Sequence, residues 1–222
     1  MPLRLPAIFR PDRLVVAASL MLAATAAPAP AASAAPAAPA APAAPSAEVT
    51  RLLGWITQSG DNLELPFVIV DKVQARVFVF NRDGAPGGSA SALLGLGRGD
   101  KSPAGIGLKR LADILPAERI TPAGRFIAAL GNDLGQADIL WVDYDNAISL
   151  HRVIAGNPKD RRRQRLASAS TDDNRISYGC INVASAFFET VILPAFNRTN
   201  GVVYILPEST SMEQVFGLPL AS

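Results

Sequence analysis

The chain contains one cysteine and one histidine, Cys180 and His151, with the histidine 29 residues upstream. A thiol is mostly protonated at neutral pH. It serves as a nucleophile only where a base stands within hydrogen-bond reach and the surroundings favour the thiolate. His151 is the one side chain whose ordinary pKa suits that base. Cys180 lies in Ile176-Ser177-Tyr178-Gly179-Cys180-Ile181-Asn182, where Gly179 permits a sharp turn. An apolar helix is expected to begin just after the cysteine and run to about Leu193, with Pro194 ending or kinking it. Backbone N–H groups at its start would face the sulfur and a developing oxyanion, where one donor is worth about 3 kcal/mol. The same residues also admit a plain structural reading, a small core cysteine and a hydrogen-bonded strand histidine.

The start of the chain bears on that choice. Arg4, Arg10 and Arg13 precede an apolar run from Leu14 to Ala27, and Ala32-Ser33-Ala34 offers a small-residue cleavage site. Residues 1–34 therefore read as a secretory signal, which places the protein in the cell envelope or periplasm with no stable membrane span after cleavage. From Pro28 to Pro45 the chain is almost only Ala and Pro, and residues 35–46 read as an extended linker. Residues 47–222 are left as one domain. In an oxidising compartment a lone thiol is a liability unless it is buried or used.

The formal charge of +2 arises in the leader, because the remainder carries 18 basic and 18 acidic residues. That balance argues against a nucleic-acid partner. One local exception is Lys159-Asp160-Arg161-Arg162-Arg163-Gln164-Arg165, which is either a solvated loop or a surface that meets anionic envelope polymer. The stretch Gly95 to Ser102 hints at a phosphate loop. Asp100 breaks the required Gly-Lys-Ser adjacency, so no nucleotide is expected. One histidine and one cysteine do not make a zinc site, and no metal or other cofactor is expected.

Several elements must position the pair. Val49, Leu52, Leu53 and Ile56 fall at helical spacing, so 47–59 is expected as an amphipathic helix. Phe67–Val70 and Val77–Phe80 predict a hairpin of strands covered on both faces. Asp83–Gly88 reads as a turn. Further strands are expected at 92–96, 124–129, 139–143, 147–153 and 201–206. Trp55 and Trp141 read as core anchors. Eight or so short strands with few helices predict a mainly β domain, a sandwich or barrel-like sheet.

Ser177-Tyr178-Gly179-Cys180-Ile181-Asn182 resembles the signature of L,D-transpeptidase (YkuD-type) catalytic domains, usually Ser/Thr-His-Gly-Cys-hydrophobic-Asn/Arg. Thr121-Pro122-Ala123-Gly124-Arg125-Phe126 is similar to that family's Thr-Pro-x-Gly-x-Phe strand. Ile148-Ser149-Leu150-His151 resembles its histidine strand, and Gly201–Ile205 its closing strand. The resemblance implies an L,D-transpeptidase-like β-sandwich with a few short helices, one directly after the cysteine. It also implies acyl transfer on peptidoglycan stem peptides. Cys180 would be the nucleophile and His151 the base. Amides around Tyr178, Gly179 and Cys180 would form the oxyanion hole, with Ser177 and Asn182 bracing the loop. The chain departs from the pattern in two places. Tyr178 replaces the usual histidine, and the longer path from His151 to Cys180 suggests an inserted flap. Arg175 is a candidate for gripping a stem carboxylate, or else a structural partner of Asp172 or Asp173. Hydrolysis at the same site and a non-catalytic wall-binding module remain as alternatives.

Overall fold

The computed structural model describes residues 44–133 and 136–219. The expected leader and most of the expected linker lie outside these residues. Within them nine strands form one sheet in the order β2-β1-β9-β4-β5-β6-β8-β3-β7, and an added β2–β3 pairing closes eight of the strands into a ring. The strands are β1 (Phe67–Asp71), β2 (Arg76–Phe80), β3 (Pro86–Gly95), β4 (Gly124–Asp133), β5 (Gln136–Asp143), β6 (Ile148–Arg152), β7 (Arg175–Ser177), β8 (Ile181–Val183) and β9 (Gly201–Ile205). The domain is mainly β with a few short helices, as its composition predicts.

Closure depends on the length of β3. Ser91 pairs antiparallel with Arg76 of β2, while Ala92 and Leu93 pair with Val183 and Asn182 of β8. The expected turn through Gly88 is shorter than composition suggests, because Pro86, Gly87 and Gly88 already belong to the strand. They pair beside an irregularity at Val79/Phe80.

Period-two alternation divides the side chains between two cores. Val68 and Val70 of β1, Val77 and Val79 of β2, Leu150 of β6 and Ile181 of β8 fill the ring, together with Phe188, Ile192 and Phe196. Phe67, Ile69, Phe78, Phe80, Val202 and Tyr204 point outward beneath α1 (Ala47–Ser59). Both faces of the β1–β2 hairpin are therefore buried, at roughly 1.5–3 kcal/mol for each large apolar side chain. Helix α1 has the expected bounds. Ser46 caps it by accepting from Val49 N–H at 3.2 Å, and its hydroxyl donates to Asp71 at 2.7 Å, which ties the helix to β1. Trp55 packs against this outer core, but Trp141 does not serve as a core anchor. It lies half-buried on the outside of β5, with its ring 5.0 Å from that of the exposed Tyr144.

The expected helix after Cys180 starts later. Strand β8 intervenes, and helical structure begins with α3 (Ser185–Phe187). The helical path also continues through Pro194. A π-helical turn at Phe188–Ile192 is followed by α4 (Leu193–Phe196), and the Leu193 N–H bonds to Phe188 O. This wider turn shifts the backbone register just before the proline, which can donate no N–H of its own.

Candidate active site

Strands β6 and β8 run parallel, with Leu150 beside Ile181 and His151 beside Asn182. Leu150 and Ile181 face the ring core. Alternation therefore sends Ser149, His151, Cys180 and Asn182 together to the opposite face. The predicted pair thus shares one surface of the sheet, two residue positions apart in register.

Gly179 makes the turn into β8 at φ 134, and a β-carbon there would come within 2.7 Å of Ile148 Cδ1 and 2.8 Å of the Ile120 carbonyl. Two hydroxyls fix this turn. Ser177 Oγ donates to the Cys180 carbonyl at 2.6 Å and accepts the Gly179 N–H at 3.1 Å. Fully buried Thr121 donates to the Gly179 carbonyl at 2.7 Å and accepts from Gly95 N–H at 2.9 Å. The bracing expected of Ser177 is present, but the Gly179 amide is turned into Ser177 and not toward an oxyanion. Because β8 replaces the expected helix start, no helix terminus stands at the sulfur among the described residues.

The sulfur has other donors. Ser149 Oγ lies 3.6 Å from Sγ, and the Ser149 and Cys180 backbone N–H groups also point at it, which favours the thiolate. The thiol itself lies 3.5 Å from the Ala147 carbonyl. Cys180 keeps some exposed surface, yet protein crowds the sulfur, and this loss of solvation outweighs the donors and pushes the thiol pKa up.

His151 is buried, and its Nδ1 lies 2.7 Å from the Arg152 carbonyl. A carbonyl can only accept, so Nδ1 carries the proton and Nε2 is left as a base. Asn182 Nδ2 faces that Nε2 at 3.2 Å and the Cys180 carbonyl at 3.4 Å. The Asn182 oxygen accepts from Arg162 at 3.2 Å, which fixes the orientation of the amide. Desolvation pulls the His151 pKa down, and the charge of Arg162 adds to the effect. The resting pair is neutral. No hydrogen bond joins the sulfur to either ring nitrogen among the described residues.

Tyr178, half-buried beside the turn, lies under the Arg119 guanidinium, 4.0 Å from its ring centre. Arg175 is elsewhere. Its guanidinium is buried against Glu208 at 2.6 and 3.3 Å and against the Lys72 carbonyl at 2.8 Å. Its bidentate grip is thus taken by Glu208, a partner 33 residues away that local sequence does not indicate. The expected carboxylate binder is a structural ion pair, and neither Asp172 nor Asp173 is its salt-bridge partner.

Three residues of this face were not picked out as site residues from sequence. Ser149 lies two before His151 on a strand, so alternation alone could have placed it beside the sulfur. Trp141 pairs with Ser149 across β5 and β6. Arg162 comes from α2 (Arg162–Leu166), inside the basic run, whose composition does not indicate which of its cations meets Asn182.

No family profile matches the chain, and no curated protein matches it. Among solved structures it is similar to the helical cell shape determining protein Pgp2 from Campylobacter jejuni, at 15% identity and TM-score 0.45, over 71% of this chain and 55% of that one. It is also similar to an L,D-transpeptidase (residues 123–326) from Xylanimonas cellulosilytica, at 16% identity and TM-score 0.39, over 64% and 60%. A third similar structure is a fused Zn-dependent amidase/peptidase/peptidoglycan-binding domain-containing protein from Clostridium acetobutylicum, at 14% identity and TM-score 0.35, over 70% and 62%. The chain spans little more than half the length of Pgp2. Likenesses of this size leave the chemistry to be argued from the site itself.

Proposed function

We propose that this protein is an exported L,D-transpeptidase that acts on peptidoglycan stem peptides through Cys180, with His151 as base. The observation that carries the reading is the shared outer face of β6 and β8, where a neutral imidazole with Nε2 unprotonated stands two residue positions in register from the only thiol. The signature around Cys180 and the Thr121 strand adds to it. The leader 1–34, the linker 35–46 and a catalytic domain from residue 47 belong to the same reading.

In the first step Asn182 releases Nε2, which takes the thiol proton. The sulfur attacks the carbonyl between an L-centre and the terminal D-amino acid. A C–S bond forms, the C–N bond breaks, and His151 returns the proton to the departing D-alanine amine. An amine of a neighbouring stem then attacks the thioester. The C–N bond forms, the C–S bond breaks, and the proton passes through His151 back to the sulfur. With water as acceptor the same site is a carboxypeptidase.

A second reading, a wall-binding module without turnover, draws on the raised thiol, the lowered histidine and the missing sulfur–imidazole hydrogen bond. Mass analysis of tetrapeptide muropeptides after incubation separates the readings. Dimers with loss of D-alanine are expected. Bare hydrolysis removes the transferase step, and unchanged masses favour the module. Cys180→Ala should fold normally and lose all turnover, together with any covalent adduct of a carbapenem. Strong unfolding of that variant would instead mark Cys180 as a packing residue.

A further inference from the structure

Arg162 is the one cation of the 159–165 basic run that reaches the catalytic face, and it comes from the segment that lengthens the path between His151 and Cys180. It bonds Asn182 Oδ1 at 3.2 Å and Asp160 Oδ2 at 3.3 Å, and its side chain keeps 15% of its surface open. These contacts engage two of the five N–H donors of a guanidinium, and Nη2 makes no bond among the described residues. The charge is therefore held on two sides with a free edge, the posture of a group awaiting an anion.

Its partner Asn182 lies on the same strand face as the sulfur. Cys180 and Asn182 are two apart on one strand face, which is roughly 6.6 Å. An extended residue spans about 3.3–3.6 Å from its neighbour. A scissile carbonyl at the sulfur followed by one terminal residue carries that residue's carboxylate about half of the way toward Asn182, whose side-chain oxygen Arg162 holds.

We infer that Arg162 is the anion subsite of this enzyme, a specificity residue that takes the free carboxylate of the terminal D-amino acid. The inference rests on the proposed peptidoglycan reading and deepens it. A carboxylate arriving there does two things at once. It competes for the guanidinium that pins the Asn182 amide, and it offsets the positive charge that keeps His151 weakly basic. Substrates with a blocked C-terminus do neither.

The test uses a stem tetrapeptide ending in D-alanine and the same peptide as its C-terminal carboxamide. Binding of both to the Cys180→Ala protein is measured by calorimetry. The acid is expected to bind about tenfold tighter, which corresponds to about 1.4 kcal/mol. Adding Arg162→Ala should bring the acid down to the affinity of the amide, and Arg162→Lys should restore part of the preference. Thermal melts of each variant separate misfolding from loss of the subsite. Equal affinity for acid and amide, or a preference that survives Arg162→Ala, overturns the inference, as does failure of both peptides to bind. Turnover by the unmodified protein is read separately by mass. A preference for the acid without turnover therefore sinks the enzyme and keeps the subsite. Turnover without the preference does the reverse.

Discussion

The hydroxyl of Thr121 donates to the carbonyl of Gly179 at 2.7 Å, across 58 positions of sequence. The turn that presents Cys180 thus hangs from a fully buried side chain on the approach to β4, and the same hydroxyl accepts from Gly95 in β3. Two of the ring's structural elements meet the Cys180 loop at one oxygen atom.

Thr121→Val keeps the shape and removes that oxygen. It leaves the Gly179 carbonyl and the Gly95 N–H unpaired in the interior, at a cost of about 1–3 kcal/mol. Alkylation of Cys180 by iodoacetamide should change in rate as the turn loosens, while Thr121→Ser stays near the parent in urea midpoint and in rate. Equal stability of the valine and serine variants would show that this hydrogen bond is not stabilising.

Glycine is required at 179 and not at 54. Gly179→Ala places a methyl group against Ile148 and the Ile120 carbonyl at a φ of 134, so a loss of about 1–3 kcal/mol and a collapse of thiol reactivity are expected. Gly54 lies within α1 and has nothing within 4 Å of the added carbon, so Gly54→Ala should gain about 0.5–1 kcal/mol. Urea titrations of the two variants should move in opposite directions.

The single histidine gives a clean pH test. Its folded pKa is below the ordinary value of about 6.5, so between these two values the unfolded chain binds a proton that the folded chain refuses. Stability from His151 is complete above about 6.5 and is lost as pH falls through that window. The thiol runs the other way. With its pKa raised above the usual value of about 8.5, its contribution is present below that value and lost as pH rises through the folded one. His151→Gln should flatten the acidic limb of midpoint against pH and leave the alkaline limb alone. An unchanged acidic slope in that variant would place the titration elsewhere.

Lys72 has no side-chain exposure. It donates to Asp100 at 2.7 Å, to the Gly99 carbonyl at 2.6 Å and to the Thr121 carbonyl at 3.0 Å. Asp100 also collects the N–H groups of Glu208, Ser209 and Thr210, which staple the C-terminal segment to the loop before β4. Against the desolvation that raises it, the hydrogen bond from Lys72, followed by those from the Ser209 hydroxyl and the Glu208 and Ser209 N–H groups, draws its carboxyl well below the usual range. Lys72→Met removes one charge and leaves Asp100 buried without its cation. A destabilisation of about 3–5 kcal/mol is expected from chemical denaturation. A loss below about 1 kcal/mol would mean that the backbone donors satisfy Asp100 alone.

Patterned residues were legible in sequence and distant partners were not. The helical spacing of Val49, Leu52 and Ile56 placed α1 to the residue, and the two apolar runs of the first hairpin placed β1 and β2 nearly so. The motif brought Ser177, Gly179, Cys180 and Asn182 to one strand–turn–strand segment, with His151 on the neighbouring strand. Strands β7 and β8 have three residues each, too few for alternation to register, and β8 displaced the helix expected at Cys180. Arg175, expected to meet a stem carboxylate or a nearby aspartate, pairs with Glu208, while Arg162, expected only as part of the basic run, meets Asn182. Which arginine is buried on Glu208 and which meets Asn182 is decided by tertiary partners, and guanidinium chemistry is the same in both places.

Phe67 of β1 lies beside Val202 of β9, so the first strand among the described residues needs the last to complete its pairing. Bringing such remote stretches together costs loop entropy before any contact rewards it, and folding is correspondingly slow. Until Gly201–Ile205 is available, β1 and β4 each present a bare edge to whatever strand is near. A chain cut short before that stretch is therefore expected to aggregate and not to fold into a smaller version of the domain.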